Sequence, residues 1–206
     1  LASSTSTTLA LARLVKARPA IAPLAAAGIV VAGSVTFLGI LVLVAIFEPS
    51  LVLPLAWPMG VMAATGCAGA LLVFTRSDAG TEAGDAVEGI ANPLELTTAL
   101  SFGAVLAGVL VAVHYLDLWL GTGGVYAGAA LSGITDVDAL TISVSKLVGD
   151  DLVAASGAIA IFIAVSVNTA VKGAISAVAG SARLGLTVLP IYAAVIAVGA
   201  AAVWLG

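Results

Sequence analysis

Long apolar runs separated by short polar breaks leave this chain very few ways to fold. A helix needs about 20 apolar residues to cross the hydrocarbon core of a bilayer. Six segments reach that length: Leu24 to Phe47, Leu51 to Phe74, Leu94 to Leu116, Val125 to Leu147, Leu152 to Val171 and Leu184 to Leu205. A seventh, Ala2 to Ala17, comes close but carries hydroxyls at Ser3, Ser4, Thr5, Ser6, Thr7 and Thr8. Inside hydrocarbon each backbone amide must be satisfied within the protein, and runs of this length do so as helices. The sequence predicts an all-α fold, a polytopic transmembrane bundle of six to seven helices.

Charge is too scarce for the alternative of a water-soluble domain. Charged residues make up 9% and apolar residues 62% of the chain, and the mean hydropathy is +1.24. Soluble domains carry about 25% charged residues. Membrane lipids are therefore the first expected partner. The 23 glycines suit lipid-embedded packing, where small residues let helix backbones approach. A net charge of −4 with seven basic residues offers no footprint for nucleic acid. The lone cysteine, Cys67, excludes an intrachain disulfide and a cysteine metal cluster. Its apolar surroundings predict a small core residue.

The breaks define the organisation. Arg13, Lys16, Arg18 and Pro19 stop the first segment, and Glu48-Pro49-Ser50 forms a tight turn. The polar stretch 76–92, with Asp78, Glu82, Asp85 and Glu88, reads as a solvated surface loop. It joins halves 1–75 and 93–206 of a single transmembrane domain spanning 1–206. If every segment crosses, Arg13, Lys16, Arg18, Arg76 and Lys146 share one side and Arg183 lies on the other. Basic residues favour the cytoplasm, which places the start of the chain outside and its end inside. The opening has no basic stretch before an apolar core and is not a signal peptide. A chain without an initial Met is expected to be a domain of a longer protein.

An internal repeat is also legible. A shift of 133 positions superposes Ser3 on Asp136, Thr5 on Asp138, Thr8 on Thr141 and Arg13 on Lys146, and two apolar spans follow each set. Such repeats recur in transporters, with the substrate site where they meet. With all seven segments crossing, four spans per period make the repeats parallel.

Ser132-Gly133-Ile134-Thr135-Asp136-Val137-Asp138-Ala139-Leu140-Thr141 puts two carboxylates into a segment otherwise fit for lipid. Each costs about 2.5–3.5 kcal/mol on insertion scales, so such groups face a cavity or a partner. On a regular helix residues two apart diverge, whereas unwinding at Gly133 and Thr135 lets Asp136 and Asp138 converge. Carboxylates and hydroxyls are hard oxygen donors suited to Mg²⁺, Ca²⁺ or Mn²⁺. One reading is an ion or substrate site of Asp136 and Asp138 with Thr135 and Thr141. The other is structural: Asp136 caps a helix and Asp138 pairs with a buried lysine.

Ser166, Asn168, Thr169 and Lys172 form a second polar group, with Asn168 and Lys172 on one helical face. Lys172 is the candidate to compensate the acids, unless it snorkels to the interface. Ser3, Thr5 and Ser166 are candidate pathway-lining hydroxyls. His114 reads as an interfacial residue, and Trp57, Trp119 and Trp204 as interface anchors. The chain has no HExxH, GxSxG or phosphate-binding loop and no second histidine, so no enzymatic activity and no bound cofactor are expected.

Taken together, Ser3-Ser4-Thr5-Ser6-Thr7-Thr8-Leu9-Ala10-Leu11-Ala12-Arg13, Leu131 to Ala139 with its Asp-Val-Asp motif, and Asn168-Thr169-Ala170-Val171-Lys172 carry a resemblance. Asn92-Pro93 fits it as well. The chain resembles the C-terminal membrane domain of unknown function found in longer MgtC/SapB-type proteins. That resemblance covers essentially the whole chain and implies an MgtC-like membrane domain preceding it in the same precursor. The association of the MgtC name with magnesium belongs to that other half.

The expected function is a multi-pass transporter or channel domain of a prokaryotic cytoplasmic (inner) membrane. Its cargo is a small ion, a divalent metal cation first, bound by Asp136 and Asp138 with oxygen from Asn168. A proton-coupled transporter of a small organic solute is an alternative that uses the same acids. A regulatory membrane subunit that moves nothing is the alternative outside transport. A homodimer is expected, because six or seven helices often need a second copy to enclose a pathway.

Overall fold

The computed structural model describes residues 4–76, 122–149 and 152–205. Among these, seven α-helices hold nearly every residue. They are α1 (Ser4–Ala17), α2 (Ala22–Phe47), α3 (Val52–Thr75), α4 (Thr122–Thr135), α5 (Asp138–Leu147), α6 (Ala154–Ile175) and α7 (Ala182–Leu205). Short 3₁₀ turns, Pro19–Ile21 and Pro49–Leu51, lead into α2 and α3, and a π turn, Ser176–Gly180, extends α6. Proline opens both 3₁₀ turns because its fixed φ and missing N–H suit a first helical position. Glu48 caps the second by accepting the Ser50 N–H at 3.3 Å.

Four stretches are long and apolar enough to cross a membrane: Pro19–Phe47, Pro49–Thr75, Ala154–Gly180 and Ala182–Leu205. The other segments behave differently. At 1.5 Å per residue the 14 residues of α1 extend about 21 Å, short of a hydrocarbon core of about 30 Å. The expected span Val125 to Leu147 is divided into α4 and α5 by Asp136 and Val137. The expected span Leu94 to Leu116, most of the polar loop, His114 and Trp119 lie outside the described residues. Six to seven crossings thus become four among the described residues.

The described chain forms two compact units. Residues 4–36, 61–76 and 169–199 make the first; residues 37–60, 122–149, 152–168 and 200–205 make the second. In the first, Ala12, Val15, Ala22, Ala25, Ala26, Ile29, Val30, Ala70, Leu184, Val188 and Tyr192 build a buried cluster dominated by alanine. Small side chains bring α1, α2, α3 and α7 close, as lipid-embedded packing requires. Tyr192 is the large exception. It fills the space that Gly33 leaves, and its hydroxyl donates to the Ile29 carbonyl at 2.9 Å. Tyr192→Phe is expected to cost about 1 kcal/mol and Tyr192→Ala about 3–5 kcal/mol, read from detergent unfolding curves. Equal midpoints for the two variants would contradict this packing role.

This cluster also revises the sidedness expected from sequence. Ala12 and Val15 flank Arg13, and Leu184 follows Arg183; all three belong to the same cluster. Arg13, Lys16, Arg18, Arg76 and Arg183 are exposed and fall in the first unit, whereas Lys146 falls in the second. Arg183 and Arg13 therefore lie in the same unit, next to residues of one buried cluster. Cys67 is exposed on α3, not in the core as its apolar neighbours suggested. The expected anchors Trp57 and Trp204 are exposed as well.

The element order recurs along the chain. Adding 133 carries α1 to 137–150, the start of α2 to 155 and the start of α3 to 185; α5, α6 and α7 start at 138, 154 and 182. The direction reverses, however. α2 passes from the first unit into the second and α3 returns, whereas α6 passes from the second into the first and α7 returns.

Candidate ion site at a helix break

Local hydrogen bonding explains why the apolar run 125–147 does not continue as one helix. The Asp136 N–H still donates to the Ser132 carbonyl at 2.9 Å, and Thr135 Oγ1 donates to the same oxygen at 3.1 Å. Asp136 then turns its own side chain onto the backbone. Its Oδ1 accepts the N–H of Asp138, the first residue of α5, at 3.2 Å. Short acidic side chains compete with helical hydrogen bonds in this way and start new helices. One residue later the Thr141 N–H and Oγ1 both reach the Val137 carbonyl, each at 2.9 Å. The interruption is two residues long.

α6 holds the break from the side. A Cβ placed on Gly133 would collide with the Ala164 carbonyl oxygen and lie 3.0 Å from both Ala164 Cα and Val167 Cβ. Only glycine permits that approach. It brings the Gly133 carbonyl, in the last turn of α4, within 3.0 Å of the Asn168 Nδ2 donor. Last-turn carbonyls lack intrahelical partners, and the buried amide of Asn168 supplies one. The other carboxylate oxygen at the break, Asp136 Oδ2, is buried and has no hydrogen-bond partner. An unsatisfied buried acceptor of this kind is costly, and a bound cation or proton removes the cost.

Asp136, Thr135 and Asn168 are thus brought together around one break. Asp138 begins α5 half-buried, and Thr141 is fully buried one turn later with its hydroxyl on the Val137 carbonyl. Ser166 lies on α6, its Oγ buried without a partner. Lys172 is 1% exposed, so it does not snorkel to an interface. It belongs to the first unit, where its Nζ lies 3.5 Å from Thr36 Oγ1. Thr36 Oγ1 is in turn 2.9 Å from Ser4 Oγ. Thr5 is half-buried on α1 in that unit, and Ser3 lies outside the described residues. Sequence reasoning missed Thr36. The available signal was a pair of hydroxyls, Ser34 and Thr36, inside the apolar run Leu24 to Phe47.

Among the described residues no three His, Cys, Asp or Glu side chains gather into a metal-holding set. A cation at Asp136 would keep part of its water shell, as Mg²⁺ ordinarily does.

Among the described residues, an all-helical fold with four helices long and apolar enough to cross a bilayer points to a membrane domain, with one helix interruption that buries a carboxylate oxygen. The chain belongs to the family described as a domain of unknown function, DUF4010, whose model matches residues 1–180. Among curated proteins it is similar to an uncharacterized protein of Aquifex aeolicus (strain VF5), 33% identical over 120 residues. That alignment covers 56% of this chain and 50% of the relative, so the chain spans about half the length of the curated relative it matches. No solved structure matches the chain.

Proposed function

We propose that this domain passes a small cation through the membrane, with a divalent metal ion as cargo and Asp136 as its principal ligand. The observation that carries the reading is the buried, unpartnered Asp136 Oδ2 at a helix interruption. Interrupted helices serve ion-coupled transporters because their freed backbone and side-chain oxygens replace water around an ion. Asp138, Thr135 and Thr141 contribute further hard oxygen, and Asn168 offers its amide oxygen while its nitrogen holds Gly133. Ser166, with its buried Oγ, lines the path. No catalytic step and no resident cofactor are assigned.

The recurrence of a short helix followed by two long ones, with direction reversed, supports an internal repeat of inverted topology. Inverted repeats suit alternating access, in which one half rocks against the other around a fixed site. The parallel repeat expected from seven crossings needs α1 to cross. A homodimer and an MgtC-like domain in the same precursor belong to this proposal, the second on the sequence resemblance alone.

The membrane is taken to be the prokaryotic inner membrane. By the positive-inside rule the end bearing Arg13, Lys16, Arg18, Arg76 and Arg183 faces the cytoplasm. In a Cys67→Ala background, Trp204→Cys is expected to react with an impermeant maleimide added to intact cells, and Arg18→Cys only after permeabilisation. The reverse pattern would overturn this orientation.

Binding offers a direct test of the site. Titrating Mn²⁺ and Mg²⁺ into the purified protein in nanodiscs should give an affinity that Asp136→Asn weakens at least about tenfold, or about 1.4 kcal/mol. Identical titrations of the two proteins would remove Asp136 as a ligand. A folded protein with neither binding nor flux would point to the regulatory subunit instead.

A further inference from the structure

The end of α2, the end of α5 and the start of α6 meet within the second unit around an open cavity. Glu48, Ser50, Val148, Gly149, Leu152, Val153 and Ala154 line about 390 Å³ of it. Two backbone hydrogen bonds tie Gly149 and Leu152 in its wall to each other and to Leu147. The Gly149 N–H reaches the Leu152 carbonyl at 3.1 Å, and the Leu152 N–H reaches the Leu147 carbonyl at 2.9 Å. That closure holds Gly149 at φ 101°, a backbone conformation that glycine adopts readily and other residues rarely do. Among the described residues that line it, Glu48 is the one with a formally charged side chain.

One stripe of α5 leads from the helix break to this cavity. Asp138, Thr141, Ser145 and Val148 recur at intervals of three and four, hence on one face. Val148, at the end of the stripe, is part of the cavity wall. Ser145 lies one turn before it, 2% exposed, and its Oγ has no hydrogen-bond partner. The neighbouring hydroxyls behave otherwise: Thr141 Oγ1 and Ser143 Oγ bond back to the Val137 and Ala139 carbonyls of their own helix. A buried hydroxyl that forgoes this local bond retains lone pairs for a water or a cation.

We propose that the cavity is one mouth of the cation pathway, where Glu48 gathers cations, and that Ser145 is an oxygen relay between it and Asp136. The inference rests on the transport reading above and adds an entrance and an intermediate station to it. An acidic mouth raises the local cation concentration without changing the chemistry at the site, an effect that salt screens.

The test uses the full chain in proteoliposomes and in intact cells. Glu48→Gln keeps a side-chain oxygen that can cap Ser50 and removes the charge. It should raise the Mn²⁺ concentration for half-maximal uptake about threefold at low ionic strength, with no difference in high salt and an unchanged maximal rate. Ser145→Ala should lower the maximal rate several-fold. In the Cys67→Ala background, Ser145→Cys should react with a cationic methanethiosulfonate added from the Glu48 side, and Mn²⁺ should slow that reaction. Wild-type flux with both Glu48→Gln and Ser145→Ala, beside a defective Asp136→Asn, would overturn the mouth while leaving the Asp136 site intact. If the wild type carries no ion, the transport reading itself fails. The labelling then decides alone, since an unreactive Ser145→Cys denies the hydrated stripe and a reactive one supports it.

Discussion

Gly133→Ala protein is expected to unfold in detergent with about 3 kcal/mol less stability than wild type, the upper end of ordinary overpacking costs. The reason is what the added methyl meets. Its nearest neighbours are the carbonyl oxygen and Cα of Ala164, which are backbone atoms of α6 and cannot rotate away. Relief requires α6 to withdraw from α4, and withdrawal also breaks the Asn168 bond to the Gly133 carbonyl. Gly60→Ala on α3 is the matched control, because a Cβ there has nothing within 4 Å. It should be neutral or stabilising by up to about 1 kcal/mol, the helix-propensity gain of alanine over glycine. Indistinguishable midpoints for the two variants would mean that α4 and α6 are not in backbone contact.

Asp136→Asn is expected to separate function from stability. The asparagine oxygen can still accept the Asp138 N–H, so the start of α5 keeps its cap. What disappears is a carboxylate oxygen that is buried without a partner. Removing a carboxylate from a membrane interior relieves up to about 3 kcal/mol, so the variant should be as stable as wild type or more so. Its cation affinity should nevertheless fall at least about tenfold, or 1.4 kcal/mol. A residue whose role is only structural predicts the opposite pairing, with lost stability and unchanged affinity. Thermal melts and Mn²⁺ titrations on the same preparations distinguish the two.

The crossing helices were legible because hydropathy and length alone decide them. Leu24 to Phe47 became α2 within a turn, and the Glu48-Pro49-Ser50 stop lies where proline and a capping acid put it. The helix break was legible too, since two acids and a glycine in an apolar run conflict with a lipid-facing helix. The partners of those residues were not. That Asn168 serves the Gly133 carbonyl depends on how closely α6 approaches, and sequence spacing carries no such distance. Thr36 beside Lys172, 136 positions apart, is hidden for the same reason. Sidedness hangs on a single element: treating Ala2 to Ala17 as a crossing puts Arg183 opposite Arg13, whereas the described part of that segment is 14 residues long and shares a buried cluster with Leu184.

Uptake of Mg²⁺, Mn²⁺, Co²⁺ and Zn²⁺ into proteoliposomes, wild type beside Asp136→Asn, tests the central claim most directly. Uptake of at least one ion by the wild type, reduced at least about tenfold in the equally folded variant, is the predicted result. Equal uptake by the two proteins would contradict Asp136 as the ligand on the path. No uptake by folded wild-type protein would contradict divalent-cation transport by this domain.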